Sequence, residues 1–216
     1  MMMFSGKMIF GMHLEIFLMY ASGVFYALCA LLVLKFARRE RDELGWALFA
    51  FLAYQTLGMI FMGLEMSTMN EIYSNLAGLS VLIGSVYMLK FPISSFRSMT
   101  RRAIFFSSLI IVFGIFTWFV QTPEREMMFT NFTLWYDLFI NGIVVGGSVI
   151  FFGLKAAQRW VRLKALGGGS GIVTCCVVAN GAMLTGALIA SSFFQFLAPI
   201  LILGTLFSSR KLKNNG

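Results

Sequence analysis

Residues 171–207 read GIVTCCVVANGAMLTGALIASSFFQFLAPILILGTLF, a run without one charged side chain. A helix crossing the ~30 Å hydrocarbon core of a bilayer needs about 20 mostly apolar residues. This run is too long for one crossing, and the charges around it set how many it makes. Lys155, Arg159, Arg162 and Lys164 precede it; Arg210, Lys211 and Lys213 follow it. Basic residues flanking membrane helices collect on the cytoplasmic side. Two basic clusters on one side require an even number of spans between them, and the length fits two. Ser191 and Ser192, near the middle, mark the expected turn. A re-entrant hairpin is the alternative.

The same alternation extends toward the N-terminus. Lys35, Arg38, Arg39 and Arg41 form one cluster, and Lys90, Arg97, Arg101 and Arg102 another. Of the 17 Lys and Arg, only Lys7 and Arg125 fall outside these clusters and the two above. Apolar segments at about 16–34, 44–64, 72–89, 103–120, 132–154, 171–190 and 193–207 separate them. The expected fold is an all-α polytopic membrane bundle of seven transmembrane helices, forming a single domain over 1–216 with no soluble domain. The N-terminus is placed outside and the C-terminus in the cytoplasm, in the plasma membrane. Glu65, Glu71, Glu124 and Glu126 fall on the outer side, whereas Glu40, Asp42 and Glu43 sit among basic residues that can pair with them.

Composition supports the bilayer as solvent. Hydrophobic types make up 59% of the 216 residues and charged types 12%, against roughly 25% charged in a soluble domain. The mean hydropathy is +0.84. A net charge of +8 would suggest nucleic acid in a soluble protein. Here it is dispersed among the loops, with no groove-reading motif, so no nucleic-acid partner is expected.

Several chemistries are excluded by missing residues. His13 is the sole histidine, so bis-histidine haem ligation and a multi-histidine zinc site have no ligands, and a Ser–His dyad would depend on one peripheral imidazole. The seventh span has no lysine to anchor retinal. No cofactor is expected. Cys29, Cys175 and Cys176 lie in apolar runs and read as small packing residues.

Polar groups inside spans are costly and often functional. Asp137 stands out, with Asn141 four residues on and therefore on the same helix face. Tyr54, Gly58 and Glu65 share a face of the second helix. Asn75 and Ser85 in the third, Asn180 and Thr185 in the sixth and Gln195 in the seventh complete the set. Tyr54, Glu65, Asn75, Asp137, Asn141, Asn180 and Gln195 are the candidate polar site. Each also serves as ordinary helix–helix glue. Gly142 and Gly146 form a small-xxx-small motif, expected to pack the fifth helix on the sixth or to form a homodimer seam. Lys155, Arg159, Arg162 and Lys164 suit a short interfacial helix docking on anionic lipid or a partner. Gly167, Gly168, Gly169 and Gly171 lack the phosphate-loop spacing and read as a flexible link. Asn131 and Thr133 form a glycosylation sequon close to the membrane.

No motif assigns a family. In helix count and orientation alone the chain resembles microbial rhodopsins, sugar-efflux carriers and the membrane sensor regions of bacterial kinases. A non-enzymatic sensory or assembly module, acting through lipids, a partner membrane protein or a second copy, is the reading the sequence favours. A small transporter or channel with a polar path around Asp137, Asn141, Asn180 and Gln195 is the alternative. A lipid-modifying enzyme using Asp137 or Glu65 ranks third.

Overall fold

The computed structural model describes residues 8–9, 12–40, 43–95, 102, 105 and 133–215. A short antiparallel hairpin, β1 (Met8–Ile9) and β2 (Met12–His13), pairs Met8 with His13. Six helices follow: α1 (Leu14–Glu40), α2 (Glu43–Thr68), α3 (Glu71–Ser95), α4 (Thr133–Lys155), α5 (Arg159–Leu184) and α6 (Leu188–Asn215). All six are long and apolar enough to cross a membrane. The expected fourth span, 103–120, lies outside the described residues except for Phe105, as do Lys7, Arg41, Arg97, Arg101, Arg125 and Asn131.

Local chemistry sets the helix ends. Asn70 caps α3: its side-chain oxygen accepts the Ile72 N–H at 3.0 Å, satisfying one of the donors a helix N-terminus leaves open. In α1, Glu15 stands in the first turn and Arg38 and Arg39 in the last, an order that complements the helix dipole.

The turn between the last two helices falls at Thr185–Ala187, not at Ser191 and Ser192. Gly186 has φ +79°, its N–H reaches the Met183 carbonyl at 3.0 Å, and the Ala187 N–H reaches Ala182 at 2.9 Å. These two bonds and the left-handed glycine are a Schellman C-cap. Ser191 and Ser192 are buried inside α6.

The glycine-rich segment is not a link either. Gly167, Gly168, Gly169 and Gly171 lie inside α5, which runs unbroken from Arg159. A methyl group at Gly167 would overlap Thr205 of α6, one at Gly168 would meet Leu48 of α2 at 3.0 Å, and one at Gly169 would meet Ile150 of α4 at 2.6 Å. Small residues let membrane helices approach closely, and here they admit three neighbours around one helix. Glycine costs helix propensity, but every backbone group in an apolar core must bond internally, so α5 stays helical.

Aromatic and aliphatic side chains fill the centre, with Tyr26, Leu48, Phe51, Val145, Ile172 and Ile202 at or near zero exposure. Tyr26 meets Phe51 edge-on with ring centroids 6.4 Å apart, a favoured geometry. Large apolar side chains also face outward along the helices, among them Leu28, Leu31, Leu57, Ile83, Val86 and Phe193. An outer surface of this kind is compatible with a lipid surrounding.

The basic helix ends gather. Arg210 lies 5.1 Å over the Phe36 ring, and Lys213 lies 4.7 Å over Trp160, so the C-terminal ends of α1 and α6 meet the start of α5. α3 and α4 run in the same direction: Ser74 and Thr133, near their starts, line one cavity, and Phe91 and Phe152, near their ends, have centroids 6.4 Å apart. Ser95 and Thr133 therefore stand at opposite ends of the bundle.

Candidate functional site

Asp137 stands at the start of a wide, π-helical stretch of α4 (Asp137–Gly146), and a second such stretch in α5 covers Thr174–Ala179. The i→i+5 pattern is rare and concentrates at functional sites. The two stretches meet at Gly142, where a methyl group would come 2.6 Å from Val177 and 3.0 Å from the Cys176 Cβ. Gly146 packs likewise against Val173 and Ile172. The small-residue motif is thus buried within the chain, against α5, instead of forming an open seam for a second copy.

The Asp137 carboxyl group is 4% exposed and accepts hydrogen bonds from three helices. Tyr54 Oη donates to Oδ1 at 2.8 Å, and Asn141 Nδ2 donates to the same oxygen at 2.6 Å. Asn180 Nδ2 donates to Oδ2 at 2.9 Å and Gln55 Nε2 at 3.3 Å. The Cys176 thiol reaches Oδ1 at 3.5 Å. Asn141 Nδ2 also lies 3.2 Å from Tyr54 Oη, and Tyr26 Oη donates to Cys175 Sγ at 3.2 Å. Among the described residues the carboxyl group has five partners, all of them neutral donors. An ionised carboxylate is acceptor-only, with about four lone-pair sites, and this donor set fills them.

A cavity of about 40 Å³ adjoins the cluster, lined among others by Gln55, Ser74, Thr133, Asp137, Asn180 and Gln195. A water-sized species needs roughly 10–15 Å³ of such space. Gln195 is 1% exposed, and its Oε1 has no hydrogen-bond partner among the described residues.

The structure thus brings together Tyr54, Asp137, Asn141 and Asn180, with Gln195 on the adjoining cavity. It leaves two candidates apart. Asn75 is exposed on the outward face of α3, and its neighbour Ser74 lines the cavity instead. Glu65 is half-buried near the end of α2 and does not line the cavity. Gln55 and Cys176 belong to the cluster and were not singled out from the sequence. Cys176 and Asn180 stand four apart, the spacing that flags one helix face. Lys155, Arg159 and Arg162 are exposed, but Lys164 is buried. Because α5 starts at Arg159, the spacing of three keeps Arg159 and Arg162 together and turns Lys164 to the other side.

Tyr54 owes its position to a glycine. A methyl group at Gly84 of α3 would overlap the Tyr54 ring. Gly84→Ala is expected to push the phenol off Asp137 and to destabilise the protein by about 1–3 kcal/mol, the usual cost of overpacking. Thermal unfolding in detergent reads this. An unchanged midpoint would mean that α3 gives way and Tyr54 stays.

Neither a protein-family model, nor a curated protein, nor a solved structure matches the chain. Fold and site together define an all-helical bundle compatible with an integral membrane protein, with one buried carboxyl group at the meeting point of α2, α4 and α5.

Proposed function

We propose that this is a small membrane transporter of seven spans whose ligand site is the Asp137 cluster. The observation that carries the reading is the convergence of Tyr54, Gln55, Asn141, Cys176 and Asn180 on one buried carboxyl group in the bundle core. Helix–helix glue needs one bond per polar group; five donors on one acidic group go well beyond that. Intramembrane acidic residues mark ion and proton pathways. The opposite placement of Ser95 and Thr133 supports a further crossing between them, and the gathered basic ends support a cytoplasmic C-terminus.

The test is flux through the purified protein in liposomes, read with a pH-sensitive dye and with radiolabelled sodium. Asp137→Asn keeps the size of the side chain and is expected to cut flux at least tenfold while the protein still assembles. Flux equal to wild type would remove Asp137 from the path.

The exposed Lys155, Arg159 and Arg162 favour a second reading, a sensor module docking on a partner at its basic end. A stoichiometric partner recovered in mild detergent, together with no flux, would favour that reading over transport.

A further inference from the structure

We propose that the groove between α2 and α3 holds an anionic phospholipid of the surrounding membrane, with an acyl chain along the groove and the phosphate at Lys90 and Arg102. The groove measures about 950 Å³, toward the upper end of the ~300–1,000 Å³ of sites that take whole ligands. It is separate from the small cavity beside Asp137, and its occupant need not cross the membrane.

The lining suits a hydrocarbon chain. It extends from Glu43 to Leu57 on α2 and from Ser80 to Ile93 on α3. At a rise of ~1.5 Å per residue each stretch covers about 20 Å, enough for the roughly 15 Å of hydrocarbon in one leaflet. Away from the ends of these stretches the walls are mostly apolar. Leu57 and Ile83, both on the lining, are 48% and 60% exposed.

The charges on the lining collect at one end. Glu43 is the first residue of α2, and Lys90 lies in the last turns of α3, beside it in an antiparallel pair. Arg102, shortly after α3 in the chain, joins them on the lining. Among the described lining residues these three leave one positive charge, which the single negative charge of a phosphodiester balances. Basic side chains at this depth draw anionic headgroups. Trp46 and Tyr87 line the same end with exposed rings, and Lys90 Nζ lies 5.8 Å from the Tyr87 ring centroid. Tryptophan and tyrosine are the side chains that settle at headgroup level.

The groove also touches the polar cluster. Tyr54 lines it, and the Tyr54 hydroxyl donates to Asp137. A chain in the groove therefore packs against the ring that serves the buried carboxyl group.

Thermal unfolding of the delipidated full chain in detergent tests this, with added phosphatidylglycerol, phosphatidylcholine of the same acyl chains, or inorganic phosphate. Phosphatidylglycerol is expected to raise the midpoint saturably and beyond phosphatidylcholine, and inorganic phosphate to leave it unchanged. Lys90→Gln should raise the half-saturating concentration of phosphatidylglycerol about fivefold. Ile83→Trp, which fills the groove from an exposed position, should abolish the saturable response without lowering the lipid-free midpoint. Equal responses to the two lipids, unaltered by Lys90→Gln, would overturn the proposal in favour of unselective lipid contact. A response to inorganic phosphate alone would overturn it in favour of a small anion. No response to either lipid would overturn it and make the chain between Arg102 and Thr133 the occupant to test next. Selective lipid binding without flux would uphold this site and sink only the transport reading.

Discussion

Replacing Asp137 by alanine is expected to lower the unfolding midpoint in detergent by on the order of 10 °C. The carboxyl group is the shared acceptor for Tyr54, Gln55, Asn141, Cys176 and Asn180. Removing it leaves buried donors unsatisfied, at about 1–3 kcal/mol each. Tyr54 and Asn141 retain their contact with each other at 3.2 Å, so the loss is less than the full set. Two donors left unsatisfied at this rate cost about 2–6 kcal/mol, and each kcal/mol moves the midpoint by roughly 2–4 °C for a chain of this length. Asp137→Asn retains an acceptor oxygen and should lose much less. If alanine and asparagine melt together within about 2 °C of wild type, the network contributes no stability.

Gly167→Val is expected to prevent a monodisperse protein from accumulating at all. Any side chain at this position overlaps Thr205 across the α5–α6 contact, and valine adds branches that no rotamer moves aside. The control lies in the same chain. Among the described residues Gly181 and Gly204 have nothing within 4 Å of an added methyl group, so Gly181→Ala and Gly204→Ala should be neutral or stabilising by up to ~1 kcal/mol. Size-exclusion profiles after membrane extraction separate the outcomes. A sharp wild-type peak for Gly167→Val would show that α5 and α6 can part without loss.

These contrasts explain what the sequence disclosed. The apolar stretches are long-range patterns of about 20 residues, the length a membrane crossing requires, and they located the six long helices of the described residues. The last turn was harder to place. Ser191 and Ser192 attract attention as polar residues, yet a single buried hydroxyl is tolerated within a helix. The decisive signal was the glycine after Leu184–Thr185, which alone accepts φ +79° at a C-cap. The glycines at 167–171 mislead for a related reason: in water they loosen a chain, whereas between apolar helices they form contact surface. Asp137, Asn141 and Asn180 were legible as costly intramembrane groups. Gln55 and Cys176 were not, because their part depends on which helices become neighbours, and that is a tertiary fact.

The glycines of α5 also bear on how the chain is assembled during synthesis. A segment with four glycines in five positions has little helical preference of its own, each costing ~1 kcal/mol relative to alanine. Its shape comes from Leu48, Ile150 and Thr205, which belong to three other helices. Two of these precede α5 in the chain and one follows it. A nascent chain that ends before α6 therefore lacks one wall of the groove that holds α5. Released chains truncated before Leu188 should exchange the amide hydrogens of residues 167–171 readily, and the full chain should protect them. Equal protection at both lengths would mean that α2 and α4 suffice to seat α5. Otherwise α6 locks α5 against α2 and α4, and the packing around residues 167–171 is complete only once α6 has formed.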